Sequence, residues 1–224
     1  MYLELSYVLS EEIPVYPGSP LESYVKNTRI VDGDPSNTTI ITHYLHNGTH
    51  VDAPFHFDKD GMGIDEVPIE NYIFKKVLMI DCPKTKGELI SIEDLEKYGD
   101  KLYKADILLL NTGYSKFRDN HEKYSDDFPA LSLEAAKLIR DELLNLKAIA
   151  IDTLSIESAV DGPLLDFQVH KTLLNHKYSD KRPLVVYEDV NIELARNKEI
   201  KSLFAIPLRI KGLDGSPVTI VAEI

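Results

Sequence analysis

Four short apolar runs recur along the chain, at residues 76–80, 106–110, 148–151 and 184–187, with a helix-patterned segment in each interval. Runs of four or five residues suit strands rather than helices. In the first interval Ser91 precedes Ile-Glu-Asp94, a cap signature that predicts a short helix through Lys97. In the second, Ser132 can cap a helix whose apolar positions Ala135, Leu138, Leu143 and Leu144 follow helical spacing. In the third, residues 164–174 have helical spacing behind Pro163, a residue suited to a first helical turn. Strands and helices interleaved in this way predict a sheet-centred α/β or mixed α+β domain with helices packed on the sheet.

The N-terminal third reads as β-rich. Leu3, Leu5 and Tyr7 alternate with a strand period, residues 15–20 (Val-Tyr-Pro-Gly-Ser-Pro) form a turn, and β-branched and aromatic residues crowd residues 38–45. Residues 204–210 and 218–224 read as two closing strands. No repeat, low-complexity tract or Pro/Gly/Ser-rich linker divides the 224 residues, so one domain spanning residues 1–224 is expected.

Charge removes some functions. A formal charge of −12 repels phosphate backbones and argues against a nucleic-acid partner. No apolar run approaches the ~20 residues of a membrane span, and residues 1–12 lack the basic start and apolar core of a signal peptide. Cys82 is the single cysteine, so no intrachain disulfide can form, and it reads as a small buried hydrophobe. The expectation is a soluble cytoplasmic protein.

Four of the seven histidines fall between positions 43 and 56, in His43-Tyr-Leu-His46-Asn-Gly-Thr-His50-Val-Asp52-Ala-Pro-Phe-His56. Asn47-Gly48 is a turn dipeptide and Pro54 disfavours helix at the residue before it. In an extended chain His50, Asp52 and His56 point to one side, and the turn folds His46 back toward them. Two imidazoles and a carboxylate then converge, with a third imidazole nearby. That set suits Zn, Mn, Fe, Co or Ni better than Ca or Mg. Three protein ligands leave a position open for water, whose pKa a divalent ion lowers to about 7. His43 reads as a satisfied polar residue, and His121 as part of a solvated loop over residues 120–127. Asp152 either bonds backbone groups at a strand end or supports a metal ligand.

The segment His46-Asn-Gly-Thr-His50-Val-Asp52-Ala-Pro-Phe-His56-Phe resembles the signature of the cyclase-type metal-dependent hydrolases, a family that includes bacterial kynurenine formamidases (arylformamidases) and isatin hydrolases. Weaker similarities lie at Leu5-Ser6, residues 13–18, 109–116 and 151–155, His170-Lys-Thr-Leu-Leu174, and residues 183–188. The resemblance implies a swivelling β/β/α fold, a homodimer or higher oligomer, and one or two divalent ions per subunit, zinc first and manganese second. By the same resemblance His46, His50, Asp52, His170 and Glu188 hold metal, Asp52 and Glu188 are candidates to bridge two ions, and His56 is the general acid/base. The spacing between His170 and Glu188 exceeds the family pattern by the polar run 177–182. This leaves His176 as an alternative to His170, with His170 favoured because His-x-x-Leu-Leu fits a helix with a buried face. Asn111 and Tyr114 stand where Arg and Trp are common in the family, which bears on the substrate pocket. A neighbouring subunit is expected to add pocket residues from the region of Tyr16 to Gly18.

The implied reaction is hydrolysis of a small amide, first N-formylkynurenine to kynurenine and formate. The alternatives are a cyclic amide such as isatin or a lactone, and a metal-binding module without catalysis.

Overall fold

The interior runs of the sequence are buried on both faces because two layers cover them. Leu108, Leu110, Ile149, Ile151 and Val186 point into one apolar cluster, shared with residues of the helices. Their neighbours Ile107, Leu109, Ala148, Ala150, Val185 and Tyr187 point into a second cluster, shared with antiparallel strands. Alternation within an uninterrupted apolar run is what a strand with two covered faces requires.

The computed structural model describes residues 1–224. The strands are β1 (Tyr2–Glu4), β2 (Ser23–Thr28), β3 (Thr38–Thr42), β4 (His50–Asp52), β5 (Ile73–Phe74), β6 (Val77–Asp81), β7 (Leu89–Ile90), β8 (Ile107–Asn111), β9 (Ala130–Leu131), β10 (Ala148–Ile151), β11 (Val185–Glu188), β12 (Ser202–Pro207) and β13 (Gly215–Glu223). The helices are α1 (Ile92–Glu96), α2 (Asp100–Lys104), α3 (His121–Ser125), α4 (Leu133–Glu142), α5 (Asp161–Leu164) and α6 (Gln168–Leu174). The main sheet runs β5-β12-β13-β4-β11-β10-β8-β6, with β1 also on β13. Strands β6, β8, β10 and β11 are parallel, and β4 is antiparallel to both β11 and β13. Strand β13 belongs to two neighbourhoods. Gly215 to Pro217 pair with β4, and Val218 to Glu223 pair with β12. The result is a mixed α/β architecture in three layers: antiparallel strands, the parallel-centred sheet, and helices. No helix is long and apolar enough to cross a membrane.

Strands β6, β8, β10 and β11 and the closing pair stand where the sequence pattern put them, within two or three residues at their ends. Other elements differ for local reasons. Ser132 caps α4 by accepting the Ala135 N–H, but the helix stops at Glu142. Leu143 leaves helical geometry and turns inward, while Leu144 is exposed. The expected helix 164–174 is two pieces. Asp166 and Phe167 both take positive φ (57° and 51°), and the Phe167 N–H closes a turn onto the Gly162 carbonyl. The carboxylate of Glu157 then receives the N–H groups of Val169 and His170, which caps α6 from outside. Residues 120–127 are not all loop, because Asn120 caps α3. Strand β2 was not evident in the sequence; it pairs with β3 in a hairpin separate from the main sheet.

Candidate metal centre

The centre assembles where β4 is clamped between β11 and β13. His50 and Asp52 lie two residues apart on β4, so both side chains leave the same face, and each is 1% exposed. Register does the rest. His50 pairs with Glu188, the last residue of β11, and Asp52 pairs with Gly215 at the start of β13. His46 returns to the same point through the turn at Tyr44 to Asn47, with Gly48 at φ +64°. His56 arrives differently from the extended path expected. Pro54 opens a single 3-10 turn, Pro54–His56, which sets the His56 ring against that of His46 with centroids 3.9 Å apart. His170 comes from the first turns of α6.

Five of the six residues singled out from the sequence are linked by short separations. His46 Nδ1 lies 2.7 Å from Asp52 Oδ1, and His50 Nε2 lies 3.4 Å from the same oxygen. Glu188 stands between two imidazoles, 3.3 Å from His50 Nε2 and 3.3 Å from His170 Nε2. His170 Nε2 is 3.8 Å from Asp52 Oδ2. The sixth, His56, joins through its stack on His46. Asp52 is common to two compact ligand groups, His46–Asp52–His56 and His50–Asp52–Glu188.

Outside partners fix the imidazoles. A carbonyl only accepts, so His50 Nδ1 donates to the Gly48 carbonyl at 2.8 Å and Nε2 carries the lone pair of the neutral ring into the centre. His170 Nδ1 is held by Glu157 Oε2 at 2.8 Å, which likewise turns Nε2 inward. Asp214 Oδ2 sits 2.9 Å from His46 Nε2 and 3.2 Å from His56 Nδ1. Carboxylates and carbonyls that orient imidazoles from behind are the usual surroundings of a metal ligand.

A divalent cation fits this donor set. His50 Nε2 and Asp52 Oδ2 are buried without a hydrogen-bond partner. Burying such atoms unsatisfied is costly, and a cation removes the cost. The 3.3–3.4 Å spacings around His50 and Glu188 match the edge of about 3.3 Å of a tetrahedron with 2.0–2.1 Å bonds. The fields agree. Burial alone pushes the Asp52 carboxyl up, yet His56 and His46 hold it well below the carboxylate range. Burial disfavours charge on His170, yet Glu157 and Glu188 raise it to about 10. The carboxylates therefore draw positive charge to this point, as protons or as metal.

The remaining histidines lie elsewhere. His43 pairs with buried Glu22, and His121 is exposed at the start of α3. His176 pairs with Asp58 and is half-exposed, so His170 alone of the two late candidates stands in the cluster. Residues 177–182 form a surface segment. Asp152 accepts the Thr112 N–H and hydroxyl at the end of β10, the backbone role of the two considered. Three contributors escaped the sequence reading: Glu157, Asp214 and Gly215. A Cβ on Gly215 would stand 2.6 Å from His46 Cε1, so glycine leaves room for that ring. Leu213-Asp-Gly215 is a turn signal before a strand, but nothing local ties it to residue 46.

A cavity of about 210 Å³ opens beside the centre, lined by His46, His56, His170 and Glu188. Tyr16, Tyr44, Phe57, Leu154 and Phe167 complete its wall, with Ser19 and Ser155. Tyr16 thus lines the pocket of its own chain. Asn111 and Tyr114 are not in this lining: Asn111 binds Asp81 and Glu193, and Tyr114 stacks on Tyr124. The arrangement can hold a small aromatic molecule with a carbonyl at the centre.

Residues 3–158 match the family model described as putative cyclase. A kynurenine formamidase of Bacillus cytotoxicus is 28% identical over 217 residues, covering 97% of this chain and 94% of the relative. An uncharacterised protein of Haemophilus influenzae is 39% identical over 107 residues, 47% of this chain and 75% of that protein. Among solved structures, isatin hydrolase A from Labrenzia aggregata superposes with a TM-score of 0.83 at 22% identity, covering 99% of this chain and 93% of that one.

Proposed function

The chain belongs to the cyclase family, and from that premise we propose that it is a metal-dependent hydrolase of a small amide, arylformamidase in type. The observation that carries the reading is the pair of buried, partnerless atoms His50 Nε2 and Asp52 Oδ2, set among imidazoles that are oriented from behind. In this reading His46, His50, Asp52, His170 and Glu188 would hold one or two ions, zinc first and manganese second, with Asp52 and Glu188 as candidates to bridge. A divalent ion there supplies polarisation of the amide carbonyl and activation of water near neutral pH.

The chain's own residues do the rest. The aromatic wall of Tyr16, Tyr44, Phe57 and Phe167 seats the substrate ring and excludes water from it. Asp214 holds His56 Nδ1, which leaves Nε2 to move the proton. His56 Nε2 takes a proton from the attacking water as its oxygen bonds to the carbonyl carbon. It returns that proton to the nitrogen as the C–N bond breaks. The acyl part leaves as the acid, formate for a formamide. The lead substrate is N-formylkynurenine. A second reading is an uncharged cyclic amide or lactone, favoured by a lining without Lys or Arg to pair with an amino-acid carboxylate. We further propose a homo-oligomer in the cytoplasm.

The test loads metal-stripped protein separately with zinc and manganese and assays N-formylkynurenine, isatin and simple lactones. A metal-dependent rate is expected, with His56→Ala keeping its metal and losing about 10²–10⁴ in kcat. Metal uptake without turnover of any substrate would favour a binding module. No uptake would remove the reading, and loss of one ion in His56→Ala would make His56 a ligand.

A further inference from the structure

The ladder between β4 and β11 ends at the pair His50 and Glu188, while on its other side β4 stays bound to β13 through the Val218 N–H, which donates to the Thr49 carbonyl. On the β11 side that end is held by the next residue, Asp189. It is fully buried and takes φ +50°, a conformation rare outside glycine. Its N–H donates to the Thr153 carbonyl at 2.7 Å, and its own carbonyl accepts the Thr49 hydroxyl at 2.6 Å. Thr49 immediately precedes His50, so Asp189 ties the backbone beside Glu188 to the side chain of the residue before His50. The Asp189 side chain is engaged away from the centre. Arg118 Nε reaches Oδ1 at 2.9 Å and Nη2 reaches Oδ2 at 2.7 Å, a two-pronged grip. The Tyr124 hydroxyl donates to Oδ1 at 2.8 Å. The guanidinium lies 3.7 Å from the centroid of the Tyr7 ring, and the Tyr7 N–H in turn donates to the Thr49 hydroxyl oxygen.

We propose that Arg118 and Asp189 are a positioning pair, which sets the separation of Glu188 and His50 that a bound ion requires. The inference rests on the reading of the site as a metal centre. Neither residue touches the ligand atoms. Arg118 acts through Asp189, and Asp189 through the backbone beside Glu188 and the side chain of Thr49. A lysine at position 118 supplies the charge but not the fork, so charge alone does not restore the geometry.

The test uses the full chain loaded with Co(II), whose visible absorption reports ligand geometry, together with chelator competition for affinity. Arg118→Lys and Asp189→Asn are expected to lower Co(II) affinity by about 10–100-fold and to shift the absorption bands. With substrate, kcat should fall while KM stays near the wild-type value. Tyr124→Phe, which removes a hydroxyl shared between Asp189 Oδ1 and the Asp152 carbonyl, should shift the bands the same way by a smaller amount, and it carries the test if Asp189→Asn does not fold. Tyr72→Phe is the control: it removes a buried hydroxyl bonded to the Ile64 carbonyl, outside the hydrogen bonds of Arg118 and Asp189, and should leave the spectrum unmoved. Variants that melt earlier but keep wild-type affinity and spectrum would overturn the positioning role and leave the metal centre standing. Wild-type protein that takes up no Co(II) would overturn both.

Discussion

Gly215 shows how a residue with no side chain can decide a centre's geometry. Its partner across the ladder is Asp52, and the space over its Cα is filled by the His46 ring. An alanine there puts carbon 2.6 Å from His46 Cε1, and the ring, not the backbone, has to give way. Gly215→Ala is therefore expected to fold, with a stability cost within about 1–3 kcal/mol. Its metal affinity should fall by about tenfold or more, because His46 leaves its place 2.7 Å from Asp52. Isothermal titration with Zn(II), set beside a thermal melt of the apo form, separates the two effects, and unchanged affinity would show that His46 contributes nothing to binding. The sequence disclosed His46, His50, Asp52 and His56 because they are close in the chain and obey a strand period broken by one turn. His170 and Glu188 were legible only through family resemblance. Asp214 and Gly215 were not legible, since their roles arise from pairing between segments some 160 residues apart, and no local pattern encodes that register.

At the scale of elements, α6 is the clearest case of a part shaped by the site. Its helical spacing was readable, but its start was not, because the cap comes from Glu157, eleven residues upstream of Gln168 and beyond a break of two positive-φ residues. One carboxylate receives two backbone N–H groups and the His170 Nδ1–H, so a single side chain both starts the helix and aims a ligand. Glu157→Ala removes all three bonds. It should destabilise the apo protein by about 1–2 kcal/mol, the range of a lost helix cap. It should also weaken metal binding by about 10–100-fold as the His170 ring loses its partner. Glu157→Gln keeps one acceptor oxygen and should fall between. Chelator competition read against thermal melts checks the pair of effects, and wild-type affinity in the alanine variant would detach His170 from the centre. The same contrast holds through the fold. Elements set by nearest neighbours, such as α4 behind Ser132 or the interior strands, were visible in the sequence. Those set by distant partners were blurred at their ends, while β2 was missed because its Ser-Tyr-Val-Lys-Asn-Thr sequence is largely polar and carries no clear strand pattern.

At the scale of the whole molecule, the hairpin of β2 and β3 is the part that one chain leaves unfinished. Every residue of β3 is exposed, and Val25, Ile40 and Ile41 show more than half their surface. Ile40 and Ile41 are adjacent on a strand and so lie on opposite faces, which leaves both faces of the hairpin bare. Two strands alone are marginal in water, and a third layer is needed to stabilise them. The hairpin also joins the pocket. Ser19 and Tyr16 precede β2 and Tyr44 follows β3, so whatever steadies the hairpin steadies the aromatic wall beside His46 and His56. The homo-oligomer proposed above would supply a second copy of the chain as that cover. Light scattering on a sizing column should return at least a dimer. Ile40→Asp combined with Ile41→Asp places charge on both faces and should shift the protein toward monomer. Because the wall loosens while His50, Asp52, Glu188 and His170 stay in the main body, the monomer should keep metal, more weakly where His46 moves with Tyr44, and bind substrate less tightly, with KM raised more than kcat is lowered. A wild-type monomer, or a double variant that stays dimeric, would mean that the hairpin is not the contact and that the pocket wall holds its shape within one chain.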